Sequence, residues 1–214
     1  MLYYTKHFVD SDDIKYVKKI LKEKKLTQGR YVNLFENKLK TKFGSKYCTV
    51  LSNGTAALFL AIKSLNLKKR SKVITTPITF SATVSSALMN GLDVNFVDID
   101  DTTYTIDTAK LEKKLKKNNI KLLIAVDYAG YPCDWEKINY LKKKYNFKVL
   151  NDNCHAIGSK YNNDIKYALK YSDLVTQSFH PAKAITTGEG GAVYSNIKKI
   201  DDKIKEMRNH GFIK

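Results

Sequence analysis

The chemistry-bearing residues of this chain gather in a few short stretches, and the densest runs from Ser178 to Gly191. It reads Ser178-Phe179-His180-Pro181-Ala182-Lys183-Ala184-Ile185-Thr186-Thr187-Gly188-Glu189-Gly190-Gly191. Lys183 stands there among hydroxyls, small residues and three glycines, where a backbone can approach a ligand closely. The plainer alternative is a glycine-rich hairpin approach carrying a surface lysine. Its glycine spacing is not GxGxxG, which weakens a dinucleotide reading. A second stretch, Ser52-Asn53-Gly54-Thr55, precedes the helical pattern Ala56–Leu65. A small turn opening a helix offers free N–H groups and the positive end of the dipole, a seat for phosphate. Taken alone it could equally be an N-cap with no ligand. Phe80, in Thr76-Pro77-Ile78-Thr79-Phe80, could stack on a flat ligand or fill a core. Asp152, in Asn151-Asp152-Asn153-Cys154-His155, could pair with a cationic ring nitrogen or cap a turn. Cys154 and His155 are adjacent, without zinc-ligand spacing, and neither CxxC nor HExxH occurs, so no metal is expected.

These stretches need elements to place them. Apolar Ile14, Val17, Ile20 and Leu21 behind Asp10-Ser11-Asp12 predict a first helix, and Val32, Phe35, Leu39 and Phe43 a second. Short β-rich runs then alternate with helical patterns. The runs are Tyr47–Leu51, Lys72–Thr75, Val94–Val97, Lys121–Val126, Phe147–Leu150, Leu174–Thr176 and Ala192–Ser195. Helices are expected at Ser81–Met89, Thr108–Lys117, Trp135–Lys144 and Lys198–Arg208. Several strands are apolar on both faces, which predicts a three-layer α/β/α domain with a mostly parallel sheet. Ligands of such sheets sit beyond the carboxyl ends of the strands, and the stretches named above lie there.

Composition narrows the function classes. The chain has 214 residues, with 38 Lys+Arg against 21 Asp+Glu and a formal net charge of +17. Arginine occurs only at Arg30, Arg70 and Arg208; the other cations are lysines spaced as solvated helix faces. Base and phosphate recognition favours the arginine fork, so specific nucleic-acid binding is not expected. No apolar run approaches the roughly 20 residues of a membrane helix. The opening residues lack the form of a secretion signal, and Cys48, Cys133 and Cys154 lie far apart. A cytoplasmic protein is the expectation.

Several stretches then fall into one familiar order. The Ser178–Gly191 run closely resembles the cofactor-lysine motif of the nucleotide-sugar aminotransferases, the DegT/StrS group of fold-type-I pyridoxal-phosphate enzymes. Leu26-Thr27-Gln28-Gly29, Ser52–Thr55, Thr76–Phe80, Asp127-Tyr128-Ala129-Gly130, Asp152–His155 and Arg208-Asn209-His210-Gly211 follow in family order. The pairing of Leu26–Gly29 with the Lys183 segment looks most like the branch that aminates C4 of UDP-linked 4-keto-6-deoxy-hexosamines, one member of which serves pseudaminic acid synthesis. The resemblance implies that Lys183 forms a Schiff base with pyridoxal 5'-phosphate and then acts as acid and base. It implies that Asp152 holds the ring nitrogen protonated, and that Gly54, Thr55 and Ser178 hold the phosphate. Phe80 would stack on the ring and His155 would lie against it. Tyr4, Lys25, Leu26 and Thr27 match the stretch that contacts the sugar nucleotide. The amino donor implied is an amino acid, glutamate above all.

The resemblance also implies a homodimer and a smaller C-terminal domain beyond the Arg208–Gly211 segment. On that resemblance the 214 residues would be the large cofactor domain only, with residues 1–30 as its N-terminal helix and substrate-contacting segment and the small domain absent; a separate chain could supply it. Related dehydratases and some sensor-like relatives lack the lysine, so Lys183 favours transamination. Ala184 stands where close relatives often have proline. Two further readings compete: a non-catalytic remnant that still binds cofactor or a partner, and a basic nucleic-acid-binding α/β domain with steep salt dependence.

Overall fold

A computed structural model describes residues 6–212. Helix α1 (Ser11–Leu21) opens with Asp10, whose side chain accepts from the Asp12 and Asp13 N–H groups; Asp13 returns a bond to the Asp10 N–H, closing a capping box. None of its residues is buried. Helix α2 (Arg30–Phe43) follows and ends at Gly44, whose φ of 69° is the left-handed C-cap that glycine adopts without strain.

The seven strands are β1 (Tyr47–Leu51), β2 (Lys72–Thr75), β3 (Asp93–Phe96), β4 (Ile120–Val126), β5 (Lys148–Asp152), β6 (Leu174–Ser178) and β7 (Gly191–Ser195). They form one sheet in the order β1-β7-β6-β5-β4-β2-β3. The pairs β2/β3, β2/β4, β4/β5 and β5/β6 are parallel. Both β1/β7 and β6/β7 are antiparallel, so β7 alone runs against the rest. The mostly parallel α/β/α sandwich expected from the sequence is the fold observed.

Strand alternation divides the apolar residues between two layers. Leu122, Ile124, Leu150, Leu174 and Val193 face helices α3 (Gly54–Ser64), α4 (Ser81–Met89) and α8 (Lys198–Arg208) in one core. Leu123, Ala125 and Val149 face α5 (Thr108–Lys117), α6 (Trp135–Tyr145) and the short α7 (Tyr167–Tyr171) in the other, around the buried Trp135. Val175, Ala192 and Tyr194 pack beneath α2 with Phe179, extending the second layer. Arg208 ties three elements together: its Nη1 donates to Glu36 of α2 at 2.7 Å and to the Val50 carbonyl of β1 at 3.0 Å. That accounts for an arginine at this place without any ligand.

The expected bounds of α4 and α5 match those observed. The strands differ at the ends that matter. β5 continues to Asp152 and β6 to Ser178, so both residues are the last of their strands rather than loop residues. Helix α7 is absent from the sequence expectation, being five residues long with no side-chain cap.

One close approach locks β7 to the start of α3. A Cβ at Gly191 would collide with the Asn53 carbonyl and stand 2.8 Å from the Gly54 nitrogen, all of it backbone that cannot step aside. Gly191→Ala is therefore expected to destabilise the fold by about 3 kcal/mol, read as a fall in the urea midpoint at unchanged slope. A midpoint equal to wild type would show that the turn has slack.

Candidate active site

The carboxyl ends of the parallel strands surround a cavity of about 550 Å³. Its floor is Asp152, the last residue of β5, which is 4% exposed. On one side lies the start of α3. Asn53 caps that helix, accepting from the Ala56 N–H at 2.8 Å, while the N–H groups of Gly54 and Thr55 have no acceptor within the helix. Ser178, at the end of β6, sits so close that a Cβ on Gly54 would fall 2.8 Å from the Ser178 Cβ and 3.2 Å from its hydroxyl. Helix-end N–H groups and a serine hydroxyl thus converge on one corner.

Lys183 reaches the same cavity from the loop between β6 and β7, together with His180 and Glu189. The loop turns tightly, with the Lys183 N–H donating to the His180 carbonyl at 2.8 Å and the Ala182 N–H to His180 Nδ1 at 3.1 Å. Phe80, the residue before α4, is another wall and is 64% exposed. His155 stands opposite; its ring lies 5.7 Å from that of Tyr128, and its Nδ1 accepts weakly from the Ala129 N–H at 3.5 Å. Burial, then the nearby charge of Lys183, lowers the His155 pKa, so its imidazole stays neutral at neutral pH. Burial first, then the Asp152 charge, push the Cys154 thiol well above the ordinary range, which disfavours the thiolate.

Asp152 is oriented by partners that the sequence did not reveal. Thr83, wholly buried on α4, donates to Asp152 Oδ2 at 2.7 Å, and the Thr79 and Thr83 hydroxyls are 2.8 Å apart. The Cys154 N–H donates to Oδ1 at 3.3 Å. Thr83 is one of four hydroxyl residues in α4, so the sequence neither singles it out nor names its partner. Tyr128 also lines the cavity and had no role assigned from sequence beyond its place in Asp127–Gly130.

The structure therefore brings Gly54, Thr55, Phe80, Asp152, His155, Ser178 and Lys183 around one space. It leaves Lys25, Leu26 and Thr27 exposed on the turn between α1 and α2, outside that cavity. Their neighbour Gln28 lines a separate hollow of about 610 Å³ beside α8 and bonds Asn209 at 3.0 Å. Tyr4 lies outside the described residues.

The donor set fits a phosphorylated, electron-poor pyridine ring. It has an anion seat of helix-end N–H groups and a hydroxyl, a buried carboxylate aligned by a neutral donor, aromatic walls and one amine. Pyridoxal phosphate has those features, and Lys183 and Asp152 would hold its two reactive ends.

Residues 8–214 match the sequence profile of the DegT/DnrJ/EryC1/StrS aminotransferase family. The chain belongs to this family. Among its curated members, a UDP-4-amino-4,6-dideoxy-N-acetyl-beta-L-altrosamine transaminase of Campylobacter jejuni is 43% identical over 216 residues; the match takes in 100% of this chain and 56% of the relative. The structure of Helicobacter pylori PseC, an aminotransferase involved in the biosynthesis of pseudoaminic acid, superposes with a TM-score of 0.94 at 36% identity. That superposition covers 99% of this chain and 57% of PseC. An Escherichia coli GDP-4-keto-6-deoxy-D-mannose-3-dehydratase with bound hydrated PLP superposes at 0.92 and 30% identity, covering 99% of this chain and 56% of the dehydratase. The DegT/DnrJ/EryC1/StrS chain described here thus spans about half the length of the curated relatives it matches. Among its described residues, no helix is long and apolar enough to cross a membrane.

Proposed function

We propose that residues 1–214 are the cofactor-holding large domain of a pyridoxal-phosphate-dependent nucleotide-sugar aminotransferase. The reaction moves an amino group from an amino acid such as glutamate to C4 of a UDP-linked 4-keto-6-deoxy-hexosamine. Its product would feed pseudaminic acid or surface-polysaccharide synthesis in the cytoplasm. One observation carries this reading: Lys183, Asp152 and the α3 anion seat open onto the same cavity. The similarity to the Campylobacter and Helicobacter transaminases supports the substrate class.

When bound, pyridoxal phosphate supplies an electron-withdrawing ring that stabilises negative charge at the reacting carbon. The protein supplies the rest. Gly54, Thr55 and Ser178 bind the phosphate, which the helix dipole favours. Asp152, negative and held by Thr83, keeps a proton on the ring nitrogen. Lys183 Nζ anchors the cofactor. Freed by the amino donor, its amine would take the proton from the donor's α-carbon and pass it to the cofactor's C4′. In the second half-reaction it would take a proton from C4′ and deliver it to C4 of the sugar. Phe80 and His155, both lining the cavity, would pack against the ring.

We infer a homodimer from the same features. Helix α1 presents Ile14, Val17 and Leu21 to the outside, and Phe80 is open although it borders the cavity. Lys25–Thr27 would then serve a site completed by a second copy.

The test is an absorbance titration of the chain with pyridoxal phosphate, followed by glutamate. A new band near the visible edge, discharged by glutamate with release of 2-oxoglutarate, is expected. A band that glutamate leaves unchanged would favour the remnant reading. No band at all would sink the assignment of the cavity.

A further inference from the structure

Asp127 is the first residue after β4, and its carboxylate is wholly buried. It is not among the residues lining the cavity, and its carboxylate hydrogen-bonds none of the side chains assigned to the reaction. Five donors converge on it. Oδ1 accepts from the Cys133 N–H at 2.9 Å and from Trp135 Nε1 at 3.1 Å. Oδ2 accepts from Asn151 Nδ2 and Asn153 Nδ2, each at 2.9 Å, and from the Tyr167 hydroxyl at 2.7 Å. No ion pair among the described residues includes it. Burial raises its pKa, and the donors, Cys133 foremost, pull it back. A carboxylate is the one side chain that can accept from every neighbour; an amide would turn its own N–H groups onto theirs.

Asn151 and Asn153 flank Asp152 and, by strand alternation, project from the opposite face. We propose that Asp127 is the positioning residue of the site, pinning both neighbours of Asp152 from beneath the sheet so that its carboxylate is held at the cavity floor. The inference rests on the cofactor reading above. Thr83 and Cys154 aim the Asp152 carboxylate on its own side, whereas the two asparagines restrain the backbone that carries it. The Asp127 N–H adds a bond to the Asp152 carbonyl at 3.2 Å. The same carboxylate holds Cys133 and Trp135, closing the loop that carries Tyr128 and the Ala129 N–H to the His155 side of the cavity. Beyond Asn153 the network continues through Gln177, whose Nε2 donates to Asn153 Oδ1 at 2.9 Å, to the Tyr194 hydroxyl on β7. One buried charge thereby sets two walls of the site.

The test exchanges the charge rather than deleting it. In Asp127→Asn the new amide faces donors on the Asn151–Asn153 side, and pyridoxal-phosphate affinity is expected to fall about tenfold. The pH midpoint of the bound cofactor's absorbance should move with it. Trp135, the single tryptophan, reports the network by its emission. Asp127→Asn combined with Asn153→Asp reverses the polarity of one 2.9 Å bond and returns a carboxylate to the cluster. Asn151, whose Oδ1 has no partner, can turn its amide to accept from the new side chain at position 127. Affinity and pH midpoint are then expected to return to within about threefold and to the wild-type value. Should Asp127→Asn not fold, Asn153→Ala cuts one tether and is expected to weaken affinity with Trp135 emission unchanged. Wild-type affinity in folded Asp127→Asn, or in Asn153→Ala, overturns the proposal, as does a folded double variant that fails to recover. Loss of the positioning role alone leaves wild-type cofactor uptake intact. A wild-type chain that takes up no pyridoxal phosphate overturns both this proposal and the cofactor reading.

Discussion

Lys183→Ala, incubated with pyridoxal phosphate and reduced with borohydride, is expected to carry no covalent label, while the wild-type chain is labelled on the peptide containing Lys183. Transamination in the complete enzyme should fall by about 10³-fold or more, because the variant loses both the attachment point and the group that moves the proton. The expectation is specific to this lysine although the chain is crowded with them. The others that recur along α5 and α6 lie on solvated helix faces, whereas Lys183, alone among the described lysines, lines the cavity above Asp152. The substitution has a second readout that needs no cofactor. The Lys183 charge is one of the causes holding the His155 pKa down, second to burial. Removing a cation favours protonation, so the His155 pKa is expected to rise, which a histidine proton titration by NMR would follow. An unmoved His155 together with a retained label elsewhere would show that Lys183 does not face the cavity in solution.

Asp152→Asn is expected to cost about 10²–10⁴-fold in the reaction with glutamate, with a smaller loss of cofactor affinity. The shape is kept and the charge is lost, so the ring nitrogen is no longer held protonated. Orientation suffers as well. Asp152 accepts from Thr83 on one oxygen and from the Cys154 N–H on the other. An amide in its place can satisfy one of these donors and must turn its own N–H toward the other. Single-turnover measurements with glutamate separate the two effects, since the charge acts on the rate of proton transfer and the misplacement on binding. An Asp152→Asn chain with the wild-type single-turnover rate would remove Asp152 from the chemistry. Thr83→Val offers the milder comparison, leaving the charge and deleting one donor to it.

The residues of the cavity were legible in the sequence because each stands at a strand end or a helix start, where side-chain type and local pattern coincide. Gly54 and Thr55 open a helix, Asp152 and Ser178 close strands, and Lys183 sits in the glycine-rich return to β7. The family order of these stretches selected Lys183 from a lysine-rich composition that could never have done so. What escaped the sequence is what depends on partners far along the chain. Thr83 lies in α4, yet its function is a bond to a residue in β5. Asp127 was visible as part of a motif, but its five donors come from three separate stretches. Both strand ends at Asp152 and Ser178 also ran beyond their apolar runs, because polar residues buried by tertiary bonds carry no hydrophobic signal. Lys25–Thr27 show the converse: a recognisable stretch that the described chain leaves outside its cavity.

The antiparallel β7 has a consequence for synthesis on the ribosome. Among the described residues β1 pairs with no strand but β7, and the Gly54 turn is braced by Gly191, which follows the other six strands of the sheet in the sequence. The order of translation therefore keeps β1 and the start of α3 waiting while β2, β3, β4 and β5 can already associate. Such long-range closure slows folding and leaves apolar strand edges open in the interval. The anion seat, the lysine loop and the carboxylate floor come together only in this last step. On the proposed reading, a sheet without β7 lacks the strand that braces the Gly54 turn, and uptake of pyridoxal phosphate would report that β7 has been inserted.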